Sequence, residues 1–144
     1  MPAHLIRGAV VGTWMLAVAA PALALDPGQP VAVTPILTTT QTAADQPIVL
    51  PQEDVHVTAS RYEIAPGATL PVHKHPYQRY AYVLAGTLEV TDVESGKTTT
   101  YKPGDFIVEV VDRWHQGRNV GTDKVELFVI DQVAGDAQQT ILKQ

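Results

Sequence analysis

Cysteine is absent from the 144 residues of this sequence, so disulfides cannot stabilise its fold and thiol chemistry is excluded from its function. Clusters of positive charge are missing as well, because 10 Lys and Arg face 15 Asp and Glu and the basic residues do not run together. A nucleic-acid partner needs such a basic surface, so none is expected. Stability must therefore come from a packed core.

A hydrophobic run long enough to span a membrane is also missing from the N-terminus. Arg7 precedes an apolar run over residues 8–20, about 13 residues, which fits a signal peptide and is short of the roughly 20 of a spanning helix. Small residues precede Leu25, so the sequence predicts a signal peptide over residues 1–24, cleaved after Ala24. We expect a periplasmic or secreted protein with no stable membrane anchor after cleavage; a retained anchor is the alternative.

Turn residues and short β-type segments organise the rest of the chain. Residues 25–34 are rich in Pro and Ala and are expected to form a flexible tether, followed by a single domain over residues 35–144. Apolar pieces at 35–37 and 47–51 are interpreted as strands that cover one edge of a sheet. Further strands, separated by Gly, Pro and Asp turns, are expected at 55–64, 80–84, 87–93, 98–101, 106–111, 114–119 and 125–130. Evenly spaced strands without helical periodicity indicate an all-β closed barrel or jelly roll.

Three of the five histidines are spaced as metal ligands could be. His73 and His75 flank Lys74 in a segment expected to be extended, where a period of two places both imidazoles on one face. Two imidazoles on one strand can occupy adjacent positions around a metal ion. His115 is the candidate third ligand, in a strand that can pair antiparallel with the first. The alternative is a pair of solvated surface histidines.

The residues around these histidines resemble the two motifs of the cupin family. The first motif reads Gly, five residues, His-x-His, three or four residues, Glu, six residues, Gly. This chain has, in the same order, Gly67, His73, His75, Arg79 and Gly86. The second motif ends in His, three residues, Asn, which matches His115 and Asn119. The similarity covers residues 35–131 and implies a double-stranded β-helix, the cupin or jelly-roll barrel, which often forms a homodimer.

Arg79 departs from the family pattern, because it stands where cupins have a metal-binding glutamate. A guanidinium cannot ligate a cation. The resemblance therefore implies one divalent transition metal, Fe, Ni, Cu or Zn, bound by His73, His75 and His115 with an open position, as in similar dioxygenases of the superfamily that lack the glutamate. In the second motif Asp112 replaces the usual glycine and Val110 the usual proline, and both changes are expected to be tolerated.

Three roles for Arg79 remain open at this point. It can face the barrel interior and pair with a substrate carboxylate or other anion. It can turn outward to an acid such as Glu109 or Asp112. Its charge can also exclude metal and leave a barrel that binds an anion. A shifted alignment with Tyr80 in the glutamate position fits the spacing to Gly86 less well.

The function expected from these features is that of a periplasmic metal-binding cupin with a small-molecule ligand. One interpretation is an enzyme with tri-His dioxygenase-like activity on a small anionic organic molecule. The alternative is a non-catalytic module that binds or senses a small ligand or metal, and a third is a purely structural barrel. Of the other candidates, His56 is expected at the surface or in packing, Trp114 on the face opposite His115, and Asn119 in the support of the final turn.

Overall fold

A computed structural model describes residues 31–144. The expected signal peptide, residues 1–24, and residues 25–30 of the expected tether lie outside the described residues. Ile36–Gln144 form one compact unit. Within residues 31–144, no helix is long and apolar enough to cross a membrane.

Nine strands make up the described barrel. They are β1 (Val55–Ile64), β2 (His73–Lys74), β3 (Arg79–Ala85), β4 (Leu88–Asp92), β5 (Thr98–Tyr101), β6 (Phe106–Val108), β7 (His115–Asn119), β8 (Val125–Ala134) and β9 (Ile141–Leu142). One sheet has the order β1-β8-β3-β6 and the other β5-β4-β7-β2-β9. Neighbouring strands pair antiparallel. The expected all-β jelly-roll fold is confirmed.

Alternation of apolar side chains along β3 and β8 builds the core between the sheets. Val125, Leu127 and Val129 of β8 are buried, and Ala81 and Val83 of β3 pack in the same cluster. Because strand side chains alternate between faces, the residues between them lie on the outer surface of the sheet. Every second residue of β3 and β8 is therefore directed into the barrel, which decides what surrounds the site described below.

Two turns explain features of the sequence motifs. Gly86 follows β3 with φ +78°, and an added Cβ would lie 2.7 Å from the main chain of Lys124 and of Val125. Only glycine fits such a close approach in the left-handed region. Asp112 stands where the second motif has glycine and adopts φ 54°. Aspartate tolerates this conformation better than most residues, so the fold accommodates the departure.

The segment before β1 differs from the expectation. Residues 35–37 and 47–51 do not form edge strands, and only a single bridge joins Gln41 to Pro47. The proline-rich ends of these pieces lack the N–H donors that a ladder needs. The segment is attached instead by one main-chain hydrogen bond, from the Ala43 N–H to the carbonyl of Val108 at 2.8 Å, and by the Gln46 side chain, whose amide donates to the carbonyl of Val111 at 2.8 Å and accepts from its N–H at 3.0 Å.

The largest differences from the expected strands are at three places, whereas β3, β4 and β7 differ by a single residue at one or both ends. β6 ends at Val108 rather than 111, β8 continues past 130 to Ala134, and β9 was not expected. In contrast, the strands expected at 55–64 and 98–101 are confirmed to the residue. Each of the three differences lies beside the histidine cluster, where tertiary contacts rather than local sequence set the boundaries.

Candidate metal centre

The three candidate histidines converge inside the barrel. β2 and β7 pair so that His73 lies directly opposite His115, and His75 follows β2 on the same inward face. The three ring centroids are 4.4 to 5.0 Å apart. One nitrogen from each ring lies within 4.8 Å of the other two, and all three side chains are buried. Lys74 points away, and its ammonium lies 2.9 Å from Asp112. The spacing therefore predicted the convergence of the three rings correctly.

Each of the three rings is held by a main-chain carbonyl at Nδ1. The oxygen is that of Pro71 for His73 at 2.7 Å, Gln139 for His75 at 3.0 Å and Arg113 for His115 at 2.9 Å. Because a carbonyl oxygen only accepts, Nδ1 carries the hydrogen and Nε2 keeps its lone pair. The Nε2 atom of His115 is buried without a hydrogen-bond partner. This is the tautomer that a metal-ligating histidine needs.

Glu109 lies beside two of the three rings, although the sequence analysis considered it only as an outward partner of Arg79. Its Oε2 atom is 3.3 Å from Nε2 of His75 and 3.5 Å from Nε2 of His115. The residue follows β6, two positions after the buried Ile107, so both side chains face inward. A single acid within the apolar stretch 106–111 is the sequence signal that would have identified it.

Burial and charge act against each other within this cluster. Burial lowers the pKa of His73 to about 4, so this ring is neutral near pH 7. Burial by itself would raise the pKa of the Glu109 carboxyl, but the neighbouring His115 and His75 hold it well below its usual range. Burial would also lower the pKa of His115, yet the Glu109 carboxylate raises it. The carboxylate is therefore ionised, and the space between it and the imidazoles attracts a cation.

Arg79 faces the barrel interior, so the outward alternative is wrong. Its side chain is buried at the start of β3, and it lies directly opposite Asp131 on β8. The Arg79 Nε atom donates to Oδ1 of Asp131 at 2.6 Å. Asp112, one of the acids considered as an outward partner, instead pairs with Lys74. Tyr80 lies on the outer face beside Phe106, so the alignment with Arg79 in the glutamate position is the correct one.

The guanidinium of Arg79 borders the histidine cluster. Its Nη1 atom lies 3.4 Å from Nε2 of His75, and its Nη2 atom donates to Oγ1 of Thr140 at 3.2 Å. Arg79, Asp131 and Glu109 together carry one net negative charge beside the histidines. The positive charge of Arg79 is thus compensated twice over, and a divalent cation does not meet an isolated guanidinium.

The C-terminal segment closes over the site in a way that the sequence analysis did not foresee. β9 pairs with β2, with Leu142 opposite His73. This pairing brings the carbonyl of Gln139 to His75 and the hydroxyl of Thr140 to Arg79. Two paired residues are too few to give a periodic signal, so the segment was detectable only through its tertiary contacts.

A cavity of about 290 Å³ lies beside the cluster inside the barrel. Apolar side chains, including Leu70, Leu88 and Leu127, form most of its wall, and His73, His115, Glu109 and Arg79 also line it. An apolar cavity with a few convergent polar groups is the usual form of a small-molecule site. Its volume suits a ligand of modest size.

The remaining candidates have structural roles or none in the site. His56 is exposed and lies 3.5 Å from Asp54. Trp114 is on the face opposite His115, with the ammonium groups of Lys74 and Lys143 at 5.3 and 5.8 Å from its ring. Asn119 is fully buried and hydrogen-bonds the main chain of Gly121 and Asp123 in the turn after β7 and the carbonyl of Ile64 at the end of β1. The expectation for Asn119 is therefore confirmed.

The two sheets and the buried cluster define a small jelly-roll barrel of the type that carries a histidine-rich centre. Residues 60–131, half of the chain, match the family described as Cupin domain. This match includes His73, His75, Arg79 and His115. The chain belongs to the cupin family.

Several solved structures are similar to this chain. The polyketide cyclase RemF of Streptomyces resistomycificus is 18% identical with a TM-score of 0.52, over 61% of this chain and 62% of that one. An uncharacterised Klebsiella pneumoniae protein with a double-stranded β-helix domain is 22% identical with a TM-score of 0.50, over 79% and 98%. An oxalate decarboxylase of Lactobacillus farciminis in complex with formate is 24% identical with a TM-score of 0.49, over 60% of this chain and only 26% of the larger enzyme. No curated protein matches the sequence.

Proposed function

We propose that this protein is an exported cupin that binds one divalent transition metal ion through His73, His75 and His115 and a small anionic organic molecule beside it. The observation that carries the proposal is the set of three Nδ1 contacts to carbonyl oxygens, which leaves three imidazole lone pairs within one buried space. Lone pairs confined together repel one another unless a cation lies between them. The buried, unpartnered Nε2 of His115 is the kind of atom that such an ion satisfies.

Imidazole nitrogen is a good donor for Fe, Ni, Cu and Zn, which is why we propose an ion from this group. A bound ion of this kind supplies Lewis acidity at an open coordination position. With it, the three charged side chains and the ion sum to one positive charge, which favours an anionic ligand. Arg79 lines the cavity and makes four hydrogen bonds with its five N–H groups, which leaves one N–H group that can bind a carboxylate of the ligand. The apolar wall would cover the remainder of the molecule and exclude water.

Export and metal content are tested together on the full chain expressed in a bacterial host. We expect the protein in the periplasmic fraction, with the mass of a chain that begins at Leu25, because residues 1–24 have the pattern of a cleaved signal peptide. Metal analysis should find about one equivalent of a transition metal per chain. A cytoplasmic protein that keeps residues 1–24, or one that stays metal-free after exposure to all four ions, would contradict the respective part of the proposal.

An enzyme and a binding module are separated by turnover on the metal-loaded protein. Oxygen consumption with small thiols, diketones and phenolic acids would support the dioxygenase-like activity. Binding of any of these molecules without turnover would support the non-catalytic module. The homodimer expected from the resemblance also stays a prediction, which light scattering on the purified protein measures.

A further inference from the structure

We infer that Glu109 is the fourth protein ligand of the metal centre. The anionic ligand then comes from the end of β6, the strand next to β3, on which the first motif of the family has its glutamate. The inference rests on the proposed metal site and goes beyond it, because that proposal names only the three histidines. In the family pattern the carboxylate would come from residue 79. Here it comes from the end of β6, within the second motif.

Glu109 lies at the spacing of co-ligands from two of the three histidines, although its carboxylate is outside the group of donor atoms that all lie within 4.8 Å of one another. Its Oε2 atom is 3.3 Å from Nε2 of His75 and 3.5 Å from Nε2 of His115. Two donor atoms that each lie about 2.1 Å from one tetrahedral ion are about 3.4 Å apart. With the hydrogen of the neutral ring on Nδ1, Nε2 of His115 presents a lone pair to the carboxylate oxygen, so a cation between the two atoms, either a metal ion or a second ring proton, makes the contact favourable. A metal ion bound by both atoms would take the place of that proton.

The main chain holds Glu109 next to Arg79, the position at which the family has its glutamate. β3 and β6 pair with Tyr80 opposite Val108, so the same register places Arg79 opposite Glu109. The Glu109 N–H donates to the carbonyl of Arg79 at 2.9 Å, and its own carbonyl accepts from the amide of Gln78 at 3.0 Å. Side chains directly opposite each other on one face are neighbours. A carboxylate at position 109 can therefore reach the point that a glutamate at position 79 would reach.

Three charged residues form one row across three strands. Asp131 of β8 lies opposite Arg79 of β3, which lies opposite Glu109 beyond β6. The signs alternate, so the row has one net negative charge, the same as a single glutamate. The row as a whole thus supplies the negative charge of the missing family glutamate. Glu109 alone supplies the carboxylate that would coordinate the metal. Asp131 binds Nε of Arg79 and serves as the counter-charge.

Substitution of Glu109 by glutamine tests the inference with Co²⁺ as the probe, because Co²⁺ absorption reports the ligand set as well as occupancy. We expect wild-type protein to bind one Co²⁺. Glu109→Gln should bind it at least about 100-fold more weakly, since even the loss of an outer partner of a ligand costs 10–100-fold, and should shift the spectrum. Glu109→Asp, which keeps the charge on a shorter side chain, should be intermediate.

Two control variants separate coordination from charge. Glu126→Gln removes a carboxylate that pairs with Lys124 and Arg61 on the outer face, and it should leave affinity and spectrum unchanged. Asp131→Asn removes one charge from the row without removing a ligand, so it should weaken affinity while the spectrum stays that of wild type. Circular dichroism checks that each variant is folded.

The outcomes distinguish this inference from the proposed function. If wild-type protein binds Co²⁺ and Glu109→Gln binds it with the same affinity and spectrum, Glu109 is not a ligand and the three-histidine site stands. If Asp131→Asn and Glu109→Gln weaken binding equally without spectral change, Glu109 acts by charge only and the inference is overturned. If wild-type protein binds no transition metal at all, the proposed function itself fails.

Discussion

His115→Ala should lose metal almost completely, with an affinity at least about 100-fold weaker than that of the wild-type chain. The ring supplies a buried Nε2 lone pair that no other residue can replace, since its neighbour in the sequence, Trp114, faces the opposite side of the sheet. Loss of a partner that merely orients a ligand already costs 10–100-fold, so loss of a ligand costs more. Metal content after dialysis and competition with a chromophoric chelator measure the effect.

His56→Ala is the matched control for this experiment. It removes the same chemical group from an exposed site beside Asp54, and we expect metal content and affinity equal to wild type. His73→Ala and His75→Ala should behave as His115→Ala does. Wild-type affinity in any one of these three variants, with its fold intact, would remove that residue from the proposed ligand set.

Asp131→Leu should destabilise the protein by about 3–5 kcal/mol, because it removes the carboxylate that accepts from the buried guanidinium of Arg79 and leaves Glu109 as the remaining counter-charge. Both side chains of this ion pair are about 95% buried, and their contact is 2.6 Å. For a domain of this size the loss corresponds to a fall in Tm of about 10–20 °C. Thermal unfolding is to be measured with a chelator present, so that bound metal does not contribute to the free energy of unfolding.

The double variant Arg79→Leu/Asp131→Leu provides the comparison. Removing both charges replaces the pair by apolar side chains, which is often neutral or stabilising. The Oδ2 atom of Asp131 is buried without a hydrogen-bond partner, so the native pair does not recover its full desolvation cost. We expect the double variant within about 2 kcal/mol of wild type. A double variant as unstable as Asp131→Leu would show that the ion pair makes a net contribution to stability, rather than only neutralising its own two buried charges.

The barrel and the three histidines were predictable because their signals are local and repeated. Alternation placed His73 and His75 on one face, and turn residues at regular intervals marked most of the strands. The cupin spacing then related His115 to them across the barrel. These features depend on period and spacing, which a sequence displays directly.

The charged row was less accessible, because strand boundaries were judged from apolar character. Ending β8 at Ile130 placed Asp131 in a loop, whereas the strand continues to Ala134 and Asp131 occupies the inward series of Val125, Leu127 and Val129. The strand continues because Arg79 lies opposite and neutralises the carboxylate. Glu109 was missed for a different reason. It was included in the expected strand 106–111, but the inward direction of its side chain was not considered.

Contacts of the C-terminal segment could not be derived from local sequence at all. Gln139 and Thr140 reach the site only because Ile141 and Leu142 pair with the two residues of β2. A strand of two residues has no period to detect. Its position depends on an edge that exists only once the second sheet has formed.

Anomalous X-ray diffraction from crystals of the metal-loaded protein tests the central claim most directly. We predict one strong peak in the barrel, about 2.0–2.2 Å from Nε2 of His73, His75 and His115. The peak should lie at the same distance from Oε2 of Glu109 if that residue is the fourth ligand. Fully loaded crystals with no peak among the three rings, or with the metal held at other residues, would contradict the account.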